Sequence, residues 1–196
     1  MEKTKKKSNA QIRKEIIQFL DDTEGLVDKR PPKTGCGIKH RNCMVLATSH
    51  NDVPRATPVE FFNEGLTIYV FAEPGGKLVN IRKNPNVSAA IYEQPLDHSK
   101  TQKCVQILGT AELLTQKSHP RLLKSKAQKW NFPVVAERMY KAKANVKSLS
   151  QKEKEVLMER LYRSISIIKI TPERAILREF HTDFSAPSYR WSRKRR

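Results

Sequence analysis

The chain has 196 residues, 38% of them hydrophobic, a length and composition that suit one domain with its own core. It has no run of 18 apolar residues, and its charged first residues include no apolar segment, so we expect neither a membrane span nor a secretory signal. Three cysteines without a C-x-x-C pair predict a reducing, cytoplasmic compartment.

Most of the net charge of +18 comes from residues 1–7, 117–147 and 190–196, while the rest of the chain is close to neutral. Such basic segments either attract a polyanion or a phosphorylated ligand, or are solvated helix faces and chain ends. We favour the second interpretation, because charge runs most often serve solubility.

The N-terminal part predicts a helix followed by a loop. Ser8 and Gln11 have the spacing of a capping box, and apolar residues then recur at helical spacing. We predict a basic tail over residues 1–8 and an amphipathic helix over residues 9–21. Two prolines and two glycines predict a loop over residues 28–42.

The next segment has the pattern of a β-meander. Runs of β-branched and apolar residues bounded by turn residues predict five strands and, after the third, one short helix over 77–83. Pro58 places its strand at an edge or a bulge, and Gly109 predicts a bulge or bend. The predicted strands are residues 43–48, 55–61, 66–71, 87–92 and 104–114.

A helical insert is predicted over about residues 117–162, with a capping box at Ser150 and Glu153 and a buried stripe of Val156, Leu157 and Leu161. A hairpin of residues 165–170 and 175–180, around the turn 171–174, then ends the sheet. The fold class is therefore mainly β with helices (α+β), a small antiparallel barrel over residues 9–184 with a basic C-terminal tail over 185–196.

A candidate phosphate site lies where the third strand leads into the short helix. Gly75 and Gly76 allow close approach to the backbone, Lys77 adds a charge, and helix N-termini favour anions. An ordinary strand-to-helix turn has the same composition, and from the residues alone it is the favoured alternative.

The ordered segments ATPVEFF, LTIYVF, KLVNIRKNPNVSAAIY and VQILGTAEL resemble the FMN-binding split β-barrels related to pyridoxamine 5′-phosphate oxidase. The resemblance covers about residues 40–114, and its most specific part is the spacing of Lys77, Asn84–Pro85 and Val87–Ser88. It implies an antiparallel split β-barrel, a homodimer with one FMN in each interface cleft, and a flavin-dependent oxidoreductase acting on an unidentified small substrate.

The resemblance also implies cofactor-binding residues. Lys77 matches the family's basic residue on the FMN phosphate, and Gly75 and Gly76 stand where serine and arginine contacts are often found. Phosphate binding therefore depends on backbone N–H groups, Lys77 and Arg55. The other implied cofactor-binding residues are Thr57, Pro58 and Val59 beside the flavin, Phe71 and Ala72 near its isoalloxazine ring, and Cys104 or Gln106, from the partner subunit.

The C-terminal end departs from the oxidase itself, because the family's Arg-x-His substrate clamp is missing. We therefore do not expect a standard pyridoxine-phosphate oxidase. Trp191 either covers the flavin or packs on the surface, and we favour surface packing. No catalytic residue is predicted, since a hydride transfer to or from a flavin needs no protein base.

Two other patterns each have a functional interpretation and a simpler structural one. Cys36, His40 and Cys43 have ligand types suited to zinc or iron but lack a fourth ligand, so we predict no metal and a buried Cys43 thiol. Basic residues with interleaved Trp130, Phe132 and Tyr140 can bind single-stranded nucleic acid, but we favour docking of the insert on the barrel.

A non-catalytic split barrel is the alternative function. Such a protein holds a deazaflavin or haem instead of FMN, or binds an anionic partner through the basic insert and tails.

Overall fold

In a computed structural model the chain is described over residues 7–21, 42–92 and 100–194. Residues 1–6 of the predicted tail and 28–41 of the predicted loop lie outside these ranges. The elements in chain order are α1 Asn9–Asp21, β1 Asn42–His50, β2 Val53–Glu64, β3 Thr67–Ala72, α2 Gly76–Lys83, β4 Asn86–Tyr92, β5 Gln102–Leu114, α3 Pro120–Lys129, α4 Phe132–Ala144, α5 Gln151–Ser164, β6 Ser166–Phe180 and β7 Ser188–Ser192.

The seven strands form one antiparallel sheet in the order β3-β2-β1-β4-β5-β6-β7, and β3 also pairs with β6. This extra pairing closes the sheet into a barrel, which confirms the predicted α+β fold class. Alternate residues of each strand point inward, where isoleucine, leucine and valine side chains fill the core.

None of the described helices is both long and apolar enough to cross a membrane.

Helix α1 lies between β7 and the β2–β3 turn and buries its apolar face in the barrel core. Its capping box is present: the Ser8 N–H donates to Gln11 Oε1 at 2.8 Å, and the Gln11 N–H donates to Ser8 Oγ at 3.2 Å. Asn9 donates to the Ser192 carbonyl at 2.9 Å. The residues that enter the core are Ile12, Ile16 and Leu20.

The predicted hairpin over residues 165–180 is wrong, because β6 runs through as one strand of 15 residues. Its first half pairs with β3 and its second half with β7, while β5 follows its whole length. The proline and the charged residues of 171–174 have the composition of a turn. They lie instead at a register shift between Leu108 and Gly109, which confirms the bulge predicted at Gly109.

Within the predicted C-terminal tail, Ser188–Ser192 form β7, and Trp191 lies opposite Ala175 of β6. Trp191 is 6% exposed and belongs to the barrel core, so both interpretations of this residue, flavin cover and surface packing, are wrong. Inward and outward residues alternate along β7, which places the indole inside the barrel.

The helical insert docks on the outer face of β3, as the favoured interpretation predicted. Trp130 stacks on Phe62 with ring centroids 4.8 Å apart, and Phe132 stacks on Phe71 at 4.2 Å. Tyr140, in contrast, is exposed.

The capping box at Ser150 and Glu153 is present, but none of the residues of α5 is buried. The predicted buried stripe is therefore wrong. Val156 is exposed, and Leu157 and Leu161 are only partly covered.

An ion-paired cluster fastens the insert to the barrel. Lys126 and Lys129 donate to the two carboxylate oxygens of Glu64 at 2.5 and 2.6 Å, and the Tyr69 hydroxyl donates at 3.2 Å. Burial of the Glu64 carboxyl raises its pKa, but the hydrogen bonds and charges of the two lysines outweigh this and lower the pKa to about 2. The negative charge of Glu64 therefore stabilises the docked insert.

Replacing Gly109 by alanine is expected to destabilise the barrel by about 2 kcal/mol or more. The added Cβ would overlap the Thr171 carbonyl oxygen and lie 2.9 Å from Pro172 Cα, which are backbone atoms that cannot move alone. Denaturant unfolding measures the loss. Gly75→Ala is the control, since no atom lies within 4 Å of its added Cβ, and an equal loss in both variants would contradict the bulge packing.

Replacing Glu64 by glutamine is expected to lower stability at neutral pH by about 1–2 kcal/mol. Because the folded pKa is about 2 and the ordinary value 4.5, the wild-type advantage is complete above pH 4.5 and is lost as the pH falls towards 2. Urea unfolding over this range measures the difference. Glu112→Gln is the control, because Glu112 pairs with Lys169 and His119 on the open surface. A pH-independent difference for Glu64→Gln would contradict the prediction.

Candidate functional site

Arg55 lies directly against the start of α2. A Cβ atom added to Gly76 would lie 2.8 Å from Arg55 Cζ and Nε and 2.9 Å from Nη2. The guanidinium thus occupies the space that a side chain at position 76 would fill. Arg55 reaches this place because it faces Thr48 across β1–β2, on the inward side of the strand, at the end of the barrel beside α2.

The N-terminus of α2 has no anionic group of its own. The residue before it, Gly75, makes no side-chain cap, and the first turn contains no acid, whereas Arg82 and Lys83 stand in the last turn. The first N–H groups of a helix have no intrahelical acceptors, and the helix dipole makes this end electropositive. With Arg55 and Lys77 beside it, the end of α2 is suited to a phosphoryl group.

A cleft of about 720 Å³ begins at Lys77 and extends between the barrel and the insert. It brings together five of the residues predicted for the cofactor, which are Pro58, Val59, Phe71, Ala72 and Lys77. Arg55, Gly75 and Gly76 adjoin it through the start of α2. The sequence prediction is therefore spatially coherent for eight residues.

The open edge of β2 forms one side of the cleft. This strand pairs with β1 over Val53–Phe61 but with β3 only over Phe62–Glu64. Among the described strands, β1 alone pairs with the part that contains Pro58, as its missing N–H predicted. Along this edge, backbone N–H and C=O groups face the cleft side of the strand and are suited to hydrogen bonds with a planar heterocycle.

The opposite wall comes from the insert and was not predicted. Apolar side chains on α4 and α5, together with two carboxylates on the barrel side, complete the lining. The apolar stripe of α5 is the sequence signal for this wall, but the sequence analysis places that stripe in the core. The residues missed are Glu60, Phe62, Glu73, Pro74, Phe132, Val135, Ala136, Met139, Leu157, Leu161, Ser164 and Ile165.

Three predicted residues do not join the cleft of the same chain. Thr57 faces Leu46 on the inner side of the sheet and does not line it. Cys104 and Gln106 lie on the outer face of β5, opposite Tyr92 and Ala90 of β4.

Cys104 lines a separate cavity of about 290 Å³ with Tyr92, Phe180 and Phe184. Burial raises the pKa of its thiol, against an opposing effect of Arg178. The thiol is therefore protonated at neutral pH and is not an activated nucleophile.

The cysteine–histidine pattern is described only in part, since Cys36 and His40 lie outside the described residues. Cys43 is exposed rather than buried. The physical reason is strand alternation: Met44 and Leu46 point inward, so Cys43 points outward, opposite Glu60.

Comparison with known proteins agrees with this architecture. A family model described as pyridoxamine 5′-phosphate oxidase matches residues 32–177, and no curated protein matches the chain. The similar solved structures include PhzG from Burkholderia lata in complex with tetrahydrophenazine-1-carboxylic acid, with a TM-score of 0.51, 12% identity, and coverage of 78% of this chain and 77% of that one.

Two other solved structures are similar at lower TM-scores. General Stress Protein 26 from Bacillus anthracis has a TM-score of 0.44 and 19% identity over 78% of this chain and 92% of that one. A protein named FAD-binding, from Mesorhizobium loti, has a TM-score of 0.45 and 19% identity over 70% and 84%. Since the family model spans well over half of the residues, the chain belongs to the pyridoxamine 5′-phosphate oxidase family.

Proposed function

We propose that this protein binds FMN and acts as a flavin-dependent oxidoreductase on a small substrate. The observation that carries the proposal is the guanidinium of Arg55 against the Gly76 backbone, next to Lys77, at an uncapped helix start. These groups fit a phosphate, since charge-assisted hydrogen bonds from arginine, lysine and backbone N–H are the strong ones.

The adjoining cleft suits the ring system of the same cofactor. Val59, Phe71 and Ala72 supply apolar contacts, and the open edge of β2 supplies backbone hydrogen-bonding groups. FMN, when bound, supplies the electron-transfer chemistry. The chain's own residues would hold the phosphate, orient the ring along β2 and exclude water with the walls of the insert.

A homodimer is part of the proposal. Pro58, Val45, Ala90 and Gln106 are cross-strand neighbours in one row on the outer face of β2, β1, β4 and β5. The row is made mostly of small or apolar side chains, and Pro58, Ala90 and Gln106 are exposed. If two copies meet on this face, Cys104 and Gln106 of one subunit approach the cleft of the other, as the family resemblance implies.

The first test is the absorption spectrum of the purified protein, followed by thermal unfolding with added FMN. A yellow protein, or a rise in unfolding temperature on adding FMN, is expected, because a ligand that binds only the folded state stabilises it. A colourless protein that FMN does not stabilise would contradict the proposal. The spectrum also separates FMN from a deazaflavin or haem.

Replacing Lys77 by alanine is expected to weaken FMN binding by about 1.5–3 kcal/mol, the worth of a hydrogen bond to a charged group. Fluorescence titration of FMN measures the dissociation constant. Lys83→Ala, at the other end of α2, is the control and is expected to change little. An unchanged constant for Lys77→Ala would remove Lys77 from the site.

The glycine pair provides a matched test of Arg55. Gly76→Ala is expected to weaken FMN binding by about 1 kcal/mol or more, since its Cβ displaces the guanidinium that would contact the phosphate. Gly75→Ala has open space around its Cβ and extended backbone and leaves Arg55 in place, so it is expected to weaken FMN binding less than Gly76→Ala does. Equal affinities of the two variants would show that Arg55 does not contribute.

Replacing Ala90 by glutamate is expected to convert the dimer to a monomer and to weaken FMN binding, because two carboxylates would be buried in the interface. Sedimentation measures the mass. Ala142→Glu, on an exposed position of α4, is the control. A variant at Ala90 that remains dimeric would exclude this face as the interface.

A further inference from the structure

Several apolar side chains of the two helices that close the cleft remain outside the protein core. None of the residues of α5 is buried, yet Leu157 and Leu161 line the cleft. On α4, Met139 also lines it and is 65% exposed. Exposed apolar side chains gathered at one concave surface favour a ligand that covers them.

The floor of the cleft is aromatic. Phe71 of β3 and Phe132 of α4 stack in parallel, with ring centroids 4.2 Å apart and planes 5° from parallel. Phe62 meets Phe71 edge-on at 5.7 Å. Both phenylalanines of the stacked pair and Phe62 belong to the lining, so an aromatic ligand finds aromatic side chains to pack against there.

The charges of the lining disfavour an anionic substrate. Among the described residues that line the cleft, Lys77 is the one cation, while Glu60 and Glu73 are carboxylates. The proposed function assigns Lys77 and Arg55 to the FMN phosphate. A second phosphate would then meet the Glu73 carboxylate, while the described residues of the lining offer it no further cation, which disfavours an anion there.

We propose that the substrate held between the insert and the flavin is an uncharged aromatic molecule without a phosphate group. This inference rests on the proposed function, because it assigns the cationic end of the cleft to FMN. The family is named after a phosphorylated substrate, whereas the proposed substrate carries no phosphate. The proposal also makes α4 and α5 the wall that selects the substrate.

The test compares two probes that differ only in the phosphate, 2-naphthol and 2-naphthyl phosphate. Each is titrated calorimetrically into the FMN-loaded protein, and the flavin absorption band is followed in parallel. We expect 2-naphthol to bind at least about tenfold more tightly and to shift the flavin band. Equal binding, or tighter binding of 2-naphthyl phosphate, would overturn the inference.

Variants of the insert locate the probe. Met139→Ala is expected to weaken 2-naphthol binding about fivefold, because apolar contact area is lost. Val134→Ala is the matched control, since Val134 lies on the same helix, is 53% exposed and does not line the cleft. Equal effects of the two substitutions would exclude the insert as the substrate wall.

A charge variant tests the exclusion of phosphate. Glu73→Lys is expected to raise the affinity for 2-naphthyl phosphate several-fold and to leave that for 2-naphthol unchanged. No change in either affinity would contradict the electrostatic part of the inference. A protein that does not bind FMN would overturn the proposed function and this inference with it, whereas one that binds FMN but not 2-naphthol would overturn the inference alone.

Discussion

The contact between the Arg55 guanidinium and the Gly76 backbone is the constraint on which the site depends. It is available because residue 76 has no side chain and because β2 leaves Arg55 on the inward face at the end of the barrel beside α2. The same contact directs two cations, Arg55 and Lys77, to one uncapped helix end. Without it, the described lining of the cleft has Lys77 as its one cation, beside two carboxylates, and offers little to a phosphate.

The barrel provides this geometry through two features of its strands. The bulge at Gly109 lets β6 change its partner from β3 to β7, so the sheet closes while the first part of β2 keeps an open edge. The insert then covers the outer face of β3, held by the aromatic stack and by Glu64 between two lysines. The cleft is the space left between that open edge and the docked helices.

Local sequence patterns predicted much of this arrangement. Strand alternation, capping boxes and the Gly75–Lys77 turn gave correct elements because each depends on neighbouring residues. Three wrong predictions concern features that depend on distant contacts. Residues 171–174 continue a strand because Pro172 lies opposite Gly109, and Trp191 is buried because β7 pairs with β6. The leucines of α5 line the cleft instead of the core. The insert wall was missed for the same reason, since periodicity identifies an apolar face without identifying what covers it.

The comparison of FMN with riboflavin, which differ only in the phosphate, tests the central claim most directly. With two cations and the helix start contributing, we expect FMN to bind at least about 100-fold more tightly than riboflavin to the wild-type protein. We expect Arg55→Ala to reduce this ratio by weakening FMN alone. Equal dissociation constants for the two flavins, measured by fluorescence titration, would contradict a phosphate site at Arg55, Gly76 and Lys77.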